Sequence, residues 1–126
     1  MGKVIAFDLD ETLCTRSKDE TNGPEKYEKC VPIERNIALL NKLRADGHTI
    51  LIYTSRGMTF FSGNVQLINR KILPLTVRQL AEWGVGYDKL IMGKPHYDVF
   101  VDDKALNALN PFLSISIDNL LNKRLN

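Results

Sequence analysis

Cysteine, tryptophan, net charge and long apolar runs are all scarce in this chain, and each shortage excludes something. Cys14 and Cys30 are its two cysteines, without CxxC spacing or a histidine cluster beside them. A pair of reduced thiols is therefore expected rather than a disulfide framework, although a bridge across the intervening loop is the alternative. Lys+Arg 17 against Asp+Glu 15 leaves a net charge of only +2, too little for a polybasic nucleic-acid or membrane-surface binder. The first apolar run, Val4 to Phe7, stops at Asp8, too short for an export signal, and no window approaches a transmembrane length. A myristoylation pattern after Gly2 is also missing. The expected location is the cytoplasm, with no membrane partner. What is present, 44% apolar and 25% charged residues over 126 positions, is enough for one globular domain, 1–126.

Along the chain, apolar runs alternate with helical stripes. Residues 3–7 read as a strand buried on both faces. Residues 13–32 are polar and read as a loop or hairpin flap, with a turn signal at Asn22-Gly23-Pro24. Pro32 is expected to open a helix carrying Ile33, Ile37, Leu40 and Leu43, ended by Gly47. Thr49 to Tyr53 is a second strand. A short insert, 57–73, has an uncertain helical part from Val65. Pro74 opens a helix whose apolar side is Leu75, Val77, Leu80, Ala81 and Trp83. Tyr87 to Met92 reads as a third strand, Val99-Phe100-Val101 as a fourth and Ser114 to Ile117 as a fifth, with a terminal helix from Asn119. This alternation predicts a three-layer, Rossmann-like α/β fold with a mainly parallel sheet.

In such a sheet, ligands bind beyond the carboxyl ends of the strands. There the first strand ends in Asp8-Leu9-Asp10-Glu11-Thr12, the second in Thr54-Ser55-Arg56 and the fourth in Asp102-Asp103, while Lys94 follows the third. Four carboxylates on one edge would repel unless a cation shared them, and hard oxygen donors suit Mg²⁺ better than Zn²⁺. One aspartate could attack phosphorus, and the other, two residues on, could serve as acid and base. Lys94 and the metal would offset charge on the transferring phosphoryl group.

Asp8-x-Asp10-x-Thr12, Thr54, Lys94 and Asp102-Asp103, in this order at strand ends, resemble the four motifs of the haloacid dehalogenase (HAD) superfamily of phosphohydrolases. The resemblance spans residues 3–104. It implies an aspartyl-phosphate on Asp8, and Asp10 as acid/base with its backbone carbonyl on Mg²⁺. It further implies phosphoryl contacts from Thr54 and Lys94, and Asp102 or Asp103 completing the metal shell. Tyr53-Thr-Ser-Arg-Gly57 and the run Gly93 to Ala105 look like small HAD phosphatases of capsule and surface-polysaccharide gene clusters. That likeness implies a phosphorylated sugar or related small metabolite as substrate. Glu11 stands where many members have glycine.

Leu9, Ser55, Arg56 and His96 are the candidate substrate contacts. For Arg56 a phosphate or sugar carboxylate competes evenly with a salt bridge at the sheet edge, and His96 is more readily a plain loop histidine than a substrate contact. The alternatives to a metabolite phosphatase are a sugar phosphomutase, a nucleic-acid end phosphatase, and an inactive HAD-fold binding module. A chain this short leaves no room for a cap domain, so an open site or a lid from a second copy, with Phe60 and Phe61 at the contact, is expected.

Overall fold

Strand β1 (Val4–Phe7) is followed by a small hairpin of β2 (Cys14–Thr15) and β3 (Val31–Pro32), with the 3-10 helix Pro24–Lys29 inside it. Then come α1 (Glu34–Ala45), β4 (Thr49–Tyr53), α2 (Val65–Lys71), α3 (Leu73–Glu82), β5 (Lys89–Ile91) and α4 (Leu113–Leu125). The computed structural model describes residues 2–16 and 23–125, in two units, Met1–His96 and Tyr97–Asn126. The Asn22 turn signal lies outside the described residues.

The first unit is built on a parallel sheet of order β1-β4-β5, with Phe7 opposite Ile52 and Tyr53 opposite Ile91. Parallel neighbours need crossovers, and α1 and the α2–α3 pair supply them. Ile37, Leu40 and Leu43 of α1 and Ile50 and Ile52 of β4 are buried, each contributing about 1.5–3 kcal/mol of apolar transfer. Val4 and Ala6 are exposed, so β1 alternates inward and outward instead of being buried on both faces.

Two helices differ from expectation, one in its start and one in its buried face. Pro32 does not open α1; it pairs with Cys14, and the backbone N–H of Ile33 donates to Leu13 O (2.8 Å) before the helix begins at Glu34. A strand at the tip of a two-residue ladder tolerates proline's missing donor. In α3 the buried residues are Leu75, Thr76, Gln79 and Leu80, whereas Val77 and Ala81 face outward and Trp83 is half-buried. The two polar side chains displace the apolar stripe because they serve a buried charge described below.

In the second unit, Val99-Phe100-Val101 forms no strand: the described residues of the unit hold no other strand to pair with, and all three residues are exposed. Nor is Ser114–Ile117 a strand. Its two-residue alternation is overridden by an i, i+4 repeat that buries Leu113 and Ile117 on α4, and Asn110 Oδ1 accepts from Phe112 N (2.9 Å) just before that helix. No helix among the described residues is long and apolar enough to cross a membrane.

Candidate active site at the carboxyl ends of the strands

Because β1, β4 and β5 are parallel, their carboxyl ends emerge on one edge, bringing Asp8, Thr54 and Lys94 together. Two backbone bonds fix the edge beyond the strands: Thr54 N donates to Ile91 O (3.0 Å) and Lys94 N to Thr54 O (3.1 Å). Gly93, at φ +91°, makes the reversal between β5 and Lys94, a conformation suited to a residue without Cβ.

Asp8 is the aspartate presented outward. Its side chain is 37% exposed; Leu9 N donates to one carboxylate oxygen (2.8 Å), and Lys94 Nζ lies 3.8 Å from the other. Partial burial raises its pKa above the ordinary carboxylate value and outweighs the lowering by Leu9 N–H and the Lys94 charge. Lys94 Nζ also sits 5.6 Å from the Tyr53 ring centre, so ring and carboxylate together hold the cation over the strand ends.

Asp10 turns the other way. Its carboxylate receives a two-pronged ion pair from Arg56, Nε to Oδ2 and Nη2 to Oδ1, each at 3.0 Å. The Arg56 side chain is fully buried, and its third nitrogen, Nη1, donates to Gln79 Oε1 (2.6 Å) and Thr76 Oγ1 (3.2 Å). The guanidinium stacks 4.6 Å from the Tyr27 ring centre. Burial alone would depress its pKa, but the Asp10 carboxylate reverses this and the net direction is upward. Arg56 is thus held inside the protein, and the salt-bridge reading of this residue describes its geometry.

Two thiols complete the inner cluster. Cys14 Sγ lies 3.4 Å and Cys30 Sγ 3.7 Å from the same oxygen, Asp10 Oδ1. The Cys30 thiol beside it, burial and the Asp10 charge push the Cys14 pKa well above its ordinary value, so this thiol is protonated at neutral pH. Neither cysteine is in a disulfide.

The remaining candidates are more structural in their surroundings. Thr54 is buried, with Oγ1 accepting from Arg56 N (3.1 Å). Leu9 is buried, and its carbonyl receives Thr12, Leu13 and Cys14 N–H groups, closing the turn that presents both aspartates. Asn36 Nδ2 ties that turn to α1 through Thr12 O (2.8 Å). Ser55 is half-buried, with its carbonyl taking Met58 N, and His96 is exposed. Asp102 and Asp103 belong to the second unit, where Asp102 accepts from Lys104 N (2.9 Å) and is held below the usual carboxylate range, chiefly by that bond.

Tyr27, Thr76, Gln79, Cys14 and Cys30 were not singled out as site residues by sequence reasoning. Thr76 and Gln79 left one signal: two polar residues three apart on a helix face that also carries Leu75 and Leu80. A separate polar depression, about 410 Å³ and lined by Asn41, Arg44, His48 and Asp88 among others, lies toward the amino ends of the strands. Its charges are already engaged, Arg44 with Asp88 (3.3 Å) and Asp88 with Ile50 N (2.8 Å).

A scan against protein-family models and a search of curated proteins each return no match. Among solved structures, a crystal structure of a target protein from Vibrio cholerae is 30% identical, with a TM-score of 0.75, covering 98% of this chain and 99% of that one. The chain belongs to that protein's family. Two structures of the Pnkp1/Rnl/Hen1 complex, one described as an RNA repair complex, align at 19% and 18% identity with TM-scores of 0.55 and 0.57. They cover 72% and 82% of this chain but 25% and 31% of those longer chains, and at such identity they speak to the fold alone. The parallel three-stranded sheet with its crossover helices is a small, Rossmann-like α/β fold.

Proposed function

We propose that the chain is a Mg²⁺-dependent phosphomonoester hydrolase that works through an aspartyl-phosphate on Asp8. One observation carries this reading: Asp8 is the outward carboxylate at a parallel strand end, flanked by Leu9 N–H and Lys94 Nζ on the same edge as Thr54. A half-exposed carboxylate can reach phosphorus, and an ammonium 3.8 Å away stabilises negative charge there. Asp10 is the general acid and base, protonating the leaving alkoxide and then activating water for the second half-reaction.

Mg²⁺ fits the donor chemistry of the edge. Asp8 offers a part-exposed carboxylate, a hard oxygen donor, on that edge. Asp8 and the Asp10 backbone carbonyl would hold the ion. The metal, when bound, supplies charge neutralisation to the phosphoryl oxygens. The substrate is a phosphorylated sugar or a related small metabolite of polysaccharide synthesis. A net charge of +2 disfavours a nucleic-acid substrate; Ser55 and His96 are the residues assigned to contact the sugar phosphate, while the buried Arg56 positions Asp10.

The test is phosphate release from a panel of hexose, heptose and polyol phosphates with added Mg²⁺. Asp8→Asn is expected to lower turnover by at least about 10³-fold. A variant retaining near-normal rates overturns the nucleophile assignment, and isomerised sugar phosphate without free phosphate points to a mutase.

A further inference from the structure

Asp10, Cys14 and Cys30 bring three ligand atoms of different softness within 4.8 Å of one another. Both thiols address a single carboxylate oxygen, Oδ1, at 3.4 and 3.7 Å. In a tetrahedral Zn²⁺ centre with metal–sulfur and metal–oxygen distances of about 2.3 and 2.0 Å, the sulfur–oxygen edge is about 3.5 Å. The two measured edges already match it. The sulfur–sulfur edge of such a centre, about 3.8 Å, lies inside the observed bound. We infer that Asp10, Cys14 and Cys30 form a three-ligand site for a thiophilic divalent cation, Zn²⁺ in the first instance, separate from the Mg²⁺ chemistry on the outer edge.

Charge balance favours the exchange. Before binding, the Asp10 carboxylate and the Arg56 guanidinium cancel, and the Cys14 thiol keeps its proton. One Zn²⁺ displaces two S–H protons to solvent, so two thiolates balance the ion and the cluster stays neutral. Arg56 keeps its Nε bond to Oδ2 (3.0 Å), and the metal takes the place of its Nη2 bond to Oδ1 (3.0 Å). Water takes the fourth position. Rested on the reading of Asp10 as acid and base, the consequence is inhibition: a carboxylate ligated to Zn²⁺ cannot carry the proton.

The experiment titrates Co²⁺, as a spectroscopic stand-in for Zn²⁺, into reduced protein and follows the near-ultraviolet thiolate-to-metal charge-transfer band. One equivalent per chain is expected in the wild type and in Asp8→Asn, displaced by Zn²⁺. Cys30→Ser, at the rim of the cluster, should weaken binding more than about tenfold. Asp10→Asn should weaken it likewise, and circular dichroism confirms that each variant is folded. No band in the wild type, or an unchanged band in Asp10→Asn, overturns the site. In parallel, Zn²⁺ should suppress Mg²⁺-supported phosphate release by the wild type but not by Cys30→Ser, each measured against its own Mg²⁺-only rate. A band without suppression overturns the link to Asp10, and a band in a protein with no phosphatase activity overturns the proposed function while the metal site stands.

Discussion

Replacing Arg56 by methionine tests the inner cluster directly. Methionine approximates the arginine stem and removes the guanidinium, so the cavity left is small and the loss is electrostatic. Asp10, with a side chain only 16% exposed, is left without its counter-charge. Removing one partner of a buried ion pair costs about 3–5 kcal/mol. Gln79 Oε1 loses its arginine donor in a buried position, about 1 kcal/mol more, and the Tyr27 ring loses its stacked cation. Residual access of Asp10 to water returns part of this, so a net loss of about 3–4 kcal/mol is expected. With a urea m-value of about 2 kcal/mol/M, the midpoint should fall by about 2 M. Arg56→Lys keeps the charge but not the fork and should recover less than half of the loss. Combining Arg56→Met with Asp10→Asn should give a coupling energy of about 2 kcal/mol or more. A loss below about 1 kcal/mol for Arg56→Met, or additive effects in the cycle, refutes the claim that this pair organises the site.

Other consequences are open to simpler measurement. Asp8 has a raised pKa in the fold, so its protonated form favours the native state at low pH and that contribution disappears as pH rises through the raised value. In metal-free buffer at pH 7, Asp8→Asn should therefore melt above the wild type, with the gap closing in acid; a gap that widens in acid contradicts the burial argument. Glu11 sits at φ +66° without being glycine, and Glu11→Gly should stabilise by up to about 1 kcal/mol despite losing the bond from Arg16 N to its carboxylate (2.6 Å). Thermal melts showing destabilisation would mean that the side-chain bond outweighs the strain. Asn36→Ala unties the aspartate turn from α1 and should cost about 1–3 kcal/mol in denaturant unfolding, an unchanged midpoint being the contrary result.

How far the residues announced this structure depends on whether their signal was local. β1 and β4 were legible as strands, as was the α1 stripe of Ile37, Leu40 and Leu43, because period and β-branching report element type directly; an unbroken apolar run did not reveal that one face of β1 is exposed. So were Asp8, Thr54 and Lys94 as one strand-end group, because parallel topology carries them there. Glycine-like backbone at Glu11 was visible only as a departure from the resembling family, and its φ now supplies the reason. Val99 to Val101 misled because an apolar run states that a strand is affordable, not that a partner strand is at hand. The inner cluster was hidden for a different cause. Tyr27, Arg56 and the Thr76–Gln79 pair are far apart in sequence, and polar residues on a buried helix face look like errors of periodicity until the charge they serve is known.

The register of β1 also bears on how the chain reaches this state. Val4 pairs with Thr49 and Phe7 with Ile52, and among the described residues β1 has no strand of its sheet nearer in sequence. A nascent chain therefore carries its proposed nucleophile on a segment with no sheet neighbour until β4 has been synthesised. High sequence separation between paired strands slows folding and lengthens the interval in which apolar β1 is uncovered. Residues 49–53 thus set the earliest moment in synthesis at which Asp8 acquires its place.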